Sequence, residues 1–292
     1  MKKNMSKFSG SALQAFRATL GCVFRSKAIR ENKTAFNVMR EKNYTLLYLI
    51  WFFLLPLFPV FFLQALYTKR KARKLPDAGP PHSGVFGSKQ VSFQLVGFGD
   101  SVIAGTGLSR AEQSLTAKIG QQIQKKTGQS VKWFSSGTNG DKLRDLLARV
   151  DDISSAGNNL IVVSVGVNDV TRLTSIREWR ENLGVLINIL RSRCDRLVFV
   201  GLPPMETFPL LPSPLCWFLG LRASMLNFWL KRETEIYSGV FHFEYQGNPT
   251  PSDMAADGYH PSESACEYLA KKIVGRLKLQ TPSLVELDSK NI

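Results

Sequence analysis

The sequence predicts a three-layer α/β/α fold with a five-stranded parallel sheet, preceded by a hydrophobic membrane segment. After residue 88, short apolar runs alternate with amphipathic helical patterns, which is typical of a doubly wound parallel sheet. Before them, residues 44–67 form 24 consecutive uncharged positions rich in Leu and Phe. Such a stretch is long enough to cross the hydrocarbon layer of a bilayer.

The predicted elements follow one another in regular order after residue 88. The run Leu160–Val165 is almost continuously apolar, as expected for a strand that is buried on both faces. The predicted strands are Val91–Gly97, Val131–Ser135, Leu160–Val165, Leu197–Leu202 and Val240–Tyr245, and the helices between and after them are Ala111–Lys126, Asp141–Val150, Ser175–Arg193, Leu221–Tyr237 and Ser262–Leu279. In such a sheet, functional side chains lie on loops at the carboxyl ends of the strands.

The net charge of +15 is concentrated before the predicted sheet. Residues 1–87 contain 15 Lys or Arg and 3 Asp or Glu, whereas residues 88–292 contain 23 and 20. A basic run beside an apolar stretch favours contact with anionic lipid headgroups, and no zinc-finger, RNP or basic-zipper pattern is present. We therefore expect membrane lipids to contact residues 1–74, and we expect no binding of nucleic acid.

These features predict five regions along the chain. The first has apolar residues at helical spacing among basic ones, which fits an interfacial amphipathic helix or a disordered basic tail equally well. The regions are a basic N-terminal segment (1–43), the hydrophobic membrane segment (44–67), a basic and Pro/Gly-rich linker (68–87), one globular domain (88–280) and a C-terminal tail (281–292).

The membrane segment contains Pro56 and Pro59 near its centre, and each removes a backbone hydrogen bond from a helix. A bent single span and a shallow re-entrant hairpin are both compatible with this pattern. A signal peptide is disfavoured because 43 residues precede the segment and no small-residue cleavage site follows it. Lys and Arg flank both sides of the segment, and a single crossing would place one of these basic clusters on the wrong side of the membrane. The four cysteines are scattered, which suggests free thiols in a reducing compartment. We therefore favour the hairpin, with the domain in the cytoplasm.

Ser101 is the candidate nucleophile. It ends the run Gly97-Phe98-Gly99-Asp100-Ser101 at the carboxyl end of the first predicted strand, where backbone N–H groups can stabilise an oxyanion. A glycine-rich turn with an incidental serine is the alternative. The glycines fit neither the GxGxxG pattern nor a P-loop, so nucleotide binding is disfavoured.

His260 is the candidate base among only three histidines. It lies in a loop before the last predicted helix, and Asp257 three residues earlier can reach the imidazole through a tight turn. His82 falls in the linker, and His242 falls within an apolar strand pattern. The alternative for Asp257 is that it marks the start of a helix.

Asn168 lies in Gly166-Val167-Asn168-Asp169, at the end of the third predicted strand. Its amide can point towards the same edge of the sheet as Ser101, or it can simply cap a turn. A second region near this edge is the apolar, proline-rich stretch 205–219, which fits a substrate-binding flap or a packed crossover. Packing is the expected role.

Together these motifs resemble the four sequence blocks of the SGNH (GDS-motif) hydrolases, in the family's order and over residues 91–279, with a bacterial esterase/lipase-like branch as the nearest pattern. The resemblance implies a flavodoxin-like sheet. It also implies that Ser101 is the nucleophile, that His260 is the general base and acid, and that Asp257 orients His260. The implied oxyanion hole consists of the Ser101 N–H, the Gly140 N–H and the Asn168 side chain, with Gly137 as the alternative glycine.

The resemblance implies a serine hydrolase that cleaves carboxylic esters through a covalent acyl-enzyme, without a cofactor or a metal. The membrane segment adds the expectation of lipid-like or lysophospholipid-like substrates and of a location at a bacterial inner membrane. Two alternatives remain: an acyltransferase that uses the same triad, and a catalytically silent binding module that is tethered to the membrane.

Overall fold

The computed structural model describes residues 44–88, 90–154, 157–245, 249–277 and 279. The chain divides into two units, residues 1–48 and 49–292. Of the first unit only residues 44–48 are described, and they are helical. The expected amphipathic segment 1–43 and the tail 281–292 lie outside the described residues.

The second unit contains a six-stranded sheet with the order β1-β3-β2-β4-β5-β6. Strands β2 to β6 are parallel, whereas β1 pairs with β3 in the antiparallel direction. The strands are β1 (Ser83–Phe86), β2 (Phe93–Gly99), β3 (Val131–Gly137), β4 (Asn158–Ser164), β5 (Cys194–Val200) and β6 (Val240–Phe243). The chain reverses its direction of winding around β2, which places the carboxyl ends of β2, β3 and β4 side by side.

Helices pack on both faces of this sheet and complete the three layers. The α-helices among the described residues are α1 (Tyr44–Leu54), α2 (Phe58–Lys71), α3 (Ser101–Ala104), α4 (Leu115–Thr127), α5 (Leu143–Ala148), α6 (Val167–Thr171), α7 (Ile176–Leu190), α8 (Leu215–Glu235) and α9 (Glu263–Arg276). One hydrophobic cluster joins the sheet to α5, α7 and α8, and a second joins it to α4 and α9. Because β4 lies between the two clusters, its run Leu160–Val163 is fully buried.

The three-layer fold and the five parallel strands are confirmed, but the predicted number of strands was one too low. The additional strand is β1, which lies in the stretch that we expected to be a linker. That stretch also bonds to the loop after β2, because Ala78 N–H donates to Ala104 O and Gly107 N–H donates to Pro76 O. The stretch before residue 88 therefore contributes to the globular domain.

The apolar segment forms one continuous helical element and not a re-entrant hairpin. Helix α1 passes through a single 3₁₀ turn, Leu55–Leu57, into α2, and the backbone at Leu54, Leu57 and Phe58 is right-handed helical. Each proline lies in the first positions of a new helical segment, where the missing N–H costs little. By length and composition, residues 46–71 would suffice to cross a membrane.

Gly99, on β2 next to β3 and β4, has no room for a side chain. A Cβ at this position would lie 2.1 Å from the backbone oxygen of Ser164, so the strands would have to separate. We expect Gly99→Ala to destabilise the protein by about 1–3 kcal/mol. Gly184 in α7 meets nothing within 4 Å, and Gly184→Ala should instead stabilise the protein by about 0.5–1 kcal/mol. Thermal unfolding of both variants in detergent checks this, and unchanged stability of Gly99→Ala would contradict it.

Candidate active site

Ser101 begins the short helix α3, directly after β2. The carboxylate of Asp100 caps this helix by accepting the Val102 N–H at 3.1 Å, and Gly105 ends it with a φ of +69°. The Ser101 residue is only 8% exposed. A short capped helix at the end of a central strand thus fixes the serine at the carboxyl edge of the sheet.

His260 and Asp257 form a direct pair in the loop before α9. The His260 Nδ1 lies 2.6 Å from the Asp257 Oδ2. The other carboxylate oxygen accepts the backbone N–H groups of Tyr259 and His260, at 2.9 and 3.0 Å. Gly258 has a φ of +67°, which lets the chain turn tightly enough for the pair to form.

Asp257 remains ionised in this turn. Burial alone would raise its pKa, but the hydrogen bonds from the His260 side chain and from two backbone N–H groups outweigh burial and lower the pKa. An ionised Asp257 accepts the proton on Nδ1 of His260, which leaves the Nε2 lone pair available as a base. The pair therefore has the chemistry of a carboxylate-oriented general base.

The His260 loop lies against the turn that follows Ser101. A Cβ placed on Gly107 would lie 3.0 Å from the Cβ of Ala255, and the Ala255 N–H donates to the His260 carbonyl. The charge of His260 also acts on the carboxyl of Asp100, the neighbour of Ser101. The structure thus brings the predicted nucleophile and the predicted base to the same edge of the sheet.

Asn168 lies in α6, beside the loop that follows β3. Its Nδ2 donates to the Asp141 backbone oxygen at 3.0 Å, and the carboxylate of Asp169 accepts the Leu143 N–H at 3.0 Å. Gly140 has a φ of +91°, and its N–H has no acceptor within the described parts of the chain. The Asn168 side chain is therefore bonded to the residue that follows Gly140.

Gly137 has a different structural role. It ends β3 in register with Gly99, and a Cβ there would lie 2.1 Å from the Ala104 backbone nitrogen. Its lack of a side chain is thus required for α3 to pack against β3. Gly140 meets only the Arg172 guanidinium, at 3.4 Å from a Cβ at that position.

Two buried carboxyl groups, those of Asp100 and Asp169, lie next to Ser101 and Asn168 in the chain. Burial raises the pKa of Asp100 to about 7, although the Val102 N–H and His260 oppose the shift. Burial also raises the pKa of Asp169 to about 6, opposed by the Leu143 N–H. Asp100 caps the helix that begins at Ser101, and Asp169 connects α6, which carries Asn168, to the start of α5.

The apolar stretch 205–219 packs against the His260 loop. The Phe208 and Tyr259 rings meet edge to face at a centroid distance of 5.3 Å, and Leu210 N–H donates to the Gly258 carbonyl at 3.4 Å. The sequence pattern predicts packing for this stretch but does not indicate its partner. Its role is the expected packing, and the surface on which it packs is the turn that holds His260.

The other two histidines lie away from this arrangement. His242 is on β6, where its Nε2 lies 3.2 Å from the Asn227 Oδ1, and burial lowers its pKa to about 4. The His82 carbonyl accepts the Ser135 N–H beside β3.

Residues 98–267, more than half of the chain, match the GDSL-like lipase/acylhydrolase family. The chain belongs to this family. It is therefore an ester-cleaving hydrolase, as the four sequence blocks predicted. A comparison with curated proteins finds no significant match.

Solved structures with a similar fold include two hydrolases. LAE5, an alpha/beta hydrolase enzyme from the metagenome of Lake Arreo in Spain, is 18% identical with a TM-score of 0.52, and the match covers 65% of this chain and 95% of LAE5. Axe2, an acetylxylan esterase from Geobacillus stearothermophilus, is 17% identical with a TM-score of 0.50, covering 65% and 96%. These similarities support the fold of the domain.

The raised pKa of Asp100 predicts a pH dependence of stability. An unfolded aspartate titrates near 3.8 and the folded one near 7, so the folded state binds the extra proton between these values. The free energy of unfolding should therefore fall as pH rises from about 4 to about 7. Asp100→Asn cannot titrate but keeps the capping oxygen, so its melting temperature should fall less between pH 5 and pH 8.

Asp151→Asn is the control, because that side chain is 94% exposed and burial does not act on its carboxyl group. It should show the same pH dependence as the unmodified protein. Equal slopes for the Asp100→Asn and unmodified proteins would show that Asp100 does not titrate in this range.

Proposed function

We propose that this hydrolase cleaves carboxylic esters at Ser101, with His260 as the general base and Asp257 as the residue that orients it. The observation that carries the proposal is the 2.6 Å contact between His260 Nδ1 and Asp257 Oδ2. Asp257 holds both the ring and the backbone of His260, so the base is fixed in one orientation. Family membership supports ester cleavage as the reaction.

In the first step, the Ser101 Oγ attacks the carbonyl carbon of the ester while His260 Nε2 takes the hydroxyl proton. The tetrahedral intermediate then collapses, the bond to the alcohol oxygen breaks, and His260 returns the proton to the leaving alcohol. A water molecule repeats the sequence on the acyl-enzyme, which releases the carboxylic acid and restores Ser101. An alcohol in place of the water would turn the same steps into acyl transfer.

The oxyanion hole in this mechanism consists of the Ser101 N–H, the Gly140 N–H and the Asn168 amide. We favour Gly140 over Gly137 because packing against Ala104 already accounts for Gly137. The Asn168 amide has two hydrogens, and its bond to the Asp141 oxygen uses one of them. The second hydrogen is available to the developing negative charge.

We also propose that the enzyme works at a membrane on esters of lipid-like character, such as lysophospholipids. Support comes from the apolar helix, whose side chains include Phe53 at 74% exposure and Leu63 at 66%. Five Lys or Arg residues follow within positions 68–87, and they complement anionic headgroups.

Loss of either reacting side chain tests the mechanism. Ser101→Ala and His260→Ala should each lower kcat by several orders of magnitude on both a soluble short-chain ester and a lysophospholipid, because the two groups act as one unit. Asp257→Asn should keep the fold and lose much of the activity by favouring the wrong tautomer of His260. Ester turnover and labelling by a fluorophosphonate probe measure these effects.

His82→Ala is the matched control, since that side chain is exposed and belongs to no part of the proposed triad. It should retain normal turnover. If Ser101→Ala retained near-normal turnover and probe labelling, another nucleophile would be responsible. If every variant and the unmodified chain were inert on all esters, the domain would be a binding module.

Asn168→Ala tests the oxyanion hole separately. We expect kcat to fall about 10²- to 10³-fold with a smaller change in KM, because the amide stabilises charge that appears only in the transition state. Asn188→Ala, on the surface of α7, removes a comparable side-chain bond to a backbone oxygen and should leave kcat unchanged. An unchanged kcat in Asn168→Ala, with a lowered melting temperature, would make Asn168 purely structural.

A further inference from the structure

One side of the apolar helix is packed along its length. Its residues that are not exposed recur every three or four positions, which places them on one face of a helix. They are Trp51, Leu54, Leu57, Phe61, Gln64 and Thr68. All the remaining residues between Trp51 and Thr68 are exposed.

This face contacts the beginning of α8. Phe61 is 2% exposed and stacks on Phe218 at a centroid distance of 4.6 Å, and Trp51 stacks on the same ring at 6.2 Å. Leu54 and Leu57, on the same face of the helix, pack against the hydrophobic cluster that contains Phe61 and Phe218. The contact is therefore continuous with the core of the hydrolase domain.

Gln64 adds a polar connection in the middle of this apolar face. Its Nε2 donates to the Ser213 carbonyl at 2.8 Å, and its Oε1 accepts the Leu215 N–H at 3.0 Å. Both ends of the side-chain amide thus bind the backbone where α8 begins. Such a pair fixes the position of the helix along the domain as well as its rotation.

The helix contacts the domain over nearly the whole of its apolar length, so it cannot cross a bilayer without taking part of the domain with it. Trp51 to Thr68 spans about 26 Å at 1.5 Å per residue, close to the roughly 30 Å of the hydrocarbon layer. A helix in this position could cross the hydrocarbon layer only if the side of the hydrolase domain at the start of α8 entered the layer with it. The chain after residue 88 contains 23 Lys or Arg and 20 Asp or Glu, and charged side chains are costly in hydrocarbon.

The outward surface of the same helix is apolar and open. Phe52, Phe53, Phe62, Leu63 and Tyr67 are each more than half exposed. A basic cluster follows at once, formed by Lys69, Arg70, Lys71, Arg73 and Lys74. An apolar surface that ends in a basic cluster matches the boundary between acyl chains and anionic headgroups.

We propose that this helix lies in the plane of one leaflet, with its outward surface in lipid and its inner face on the hydrolase domain, and does not cross the bilayer. The inference rests on the membrane association in the proposed function. The domain supplies the polar side that an isolated interfacial helix would need. Both ends of the chain then lie on one side of the membrane, and the start of α8 lies at the membrane surface.

Reporter fusions to the full chain test the proposal. One reporter follows Arg40 and a second follows Ile292, and each fusion is assayed in the membrane fraction for the compartment of its reporter. We expect the same compartment from both fusions. Opposite compartments would establish a single span and overturn the proposal.

Recovery of the full chain in the soluble fraction would also overturn the proposal. Soluble oligomers that bury the outward surface would indicate a second copy of the chain as its occupant. Activity on a soluble short-chain ester is measured in parallel, so that failure of the membrane proposal is distinguished from failure of the catalytic one.

A pair of substitutions that introduces negative charge tests the outward surface directly. The double variant Phe62→Asp and Leu63→Asp should reduce binding to vesicles of mixed zwitterionic and anionic lipid at least tenfold in a flotation assay, because two apolar side chains in contact with lipid are replaced by charged ones. The Ile236→Asp variant, changed at a 66% exposed position directly after the far end of α8, should bind as the unmodified chain does.

Circular dichroism confirms that the double variant has folded. A folded double variant that floats with the vesicles as well as the Ile236→Asp control does would overturn the assignment of the outward surface to lipid.

Discussion

The turn from Asp257 to His260 is the constraint on which the candidate site depends. One carboxylate oxygen holds the imidazole and the other holds two backbone N–H groups of the same turn. A single buried charge therefore determines the tautomer, the ring orientation and the path of the chain. The turn is closed again by the Ala255 N–H on the His260 carbonyl, so the base cannot move without breaking several hydrogen bonds. This rigidity is what preorganised acid–base catalysis requires.

The parallel sheet is the second constraint on the site, because the carboxyl ends of β2, β3 and β4 lie side by side at one edge. Residues that are distant in sequence then meet, and buried carboxyl groups connect them. Asp100 caps the helix of Ser101, and Asp169 holds the loop that carries Gly140. Burial raises the pKa of both groups, so their ionised forms reduce stability near neutral pH. The same carboxyl groups accept the Val102 and Leu143 N–H groups, and they thereby fix the loops around the serine.

Features with a local origin could be predicted from the sequence, and those with a distant partner could not. The central run of β4, Leu160–Val163, is apolar, and Asp257 lies three residues before His260, so both features could be predicted from the sequence alone. Strand β1 has only four residues, Ser83–Phe86, and is a strand because β3 offers it an edge. The continuity of α1 and α2 depends on where two prolines fall within the first positions of helical segments. The roles of Ser101, Gly140 and Asn168 stay predictions that the geometry supports.

Gln64 has a consequence for how this chain can be divided. In the sequence it stands as a single amide in an apolar run, and a boundary drawn at residue 88 would separate an anchor from an enzyme. In the structure, contacts cross that boundary, since Gln64 binds the backbone at Ser213 and Leu215 and Phe61 stacks on Phe218. A fragment that starts at residue 88 would also lack β1 and leave the edge of β3 open, a surface prone to self-association. Its behaviour would report the damage of the cut as much as the chemistry of the serine.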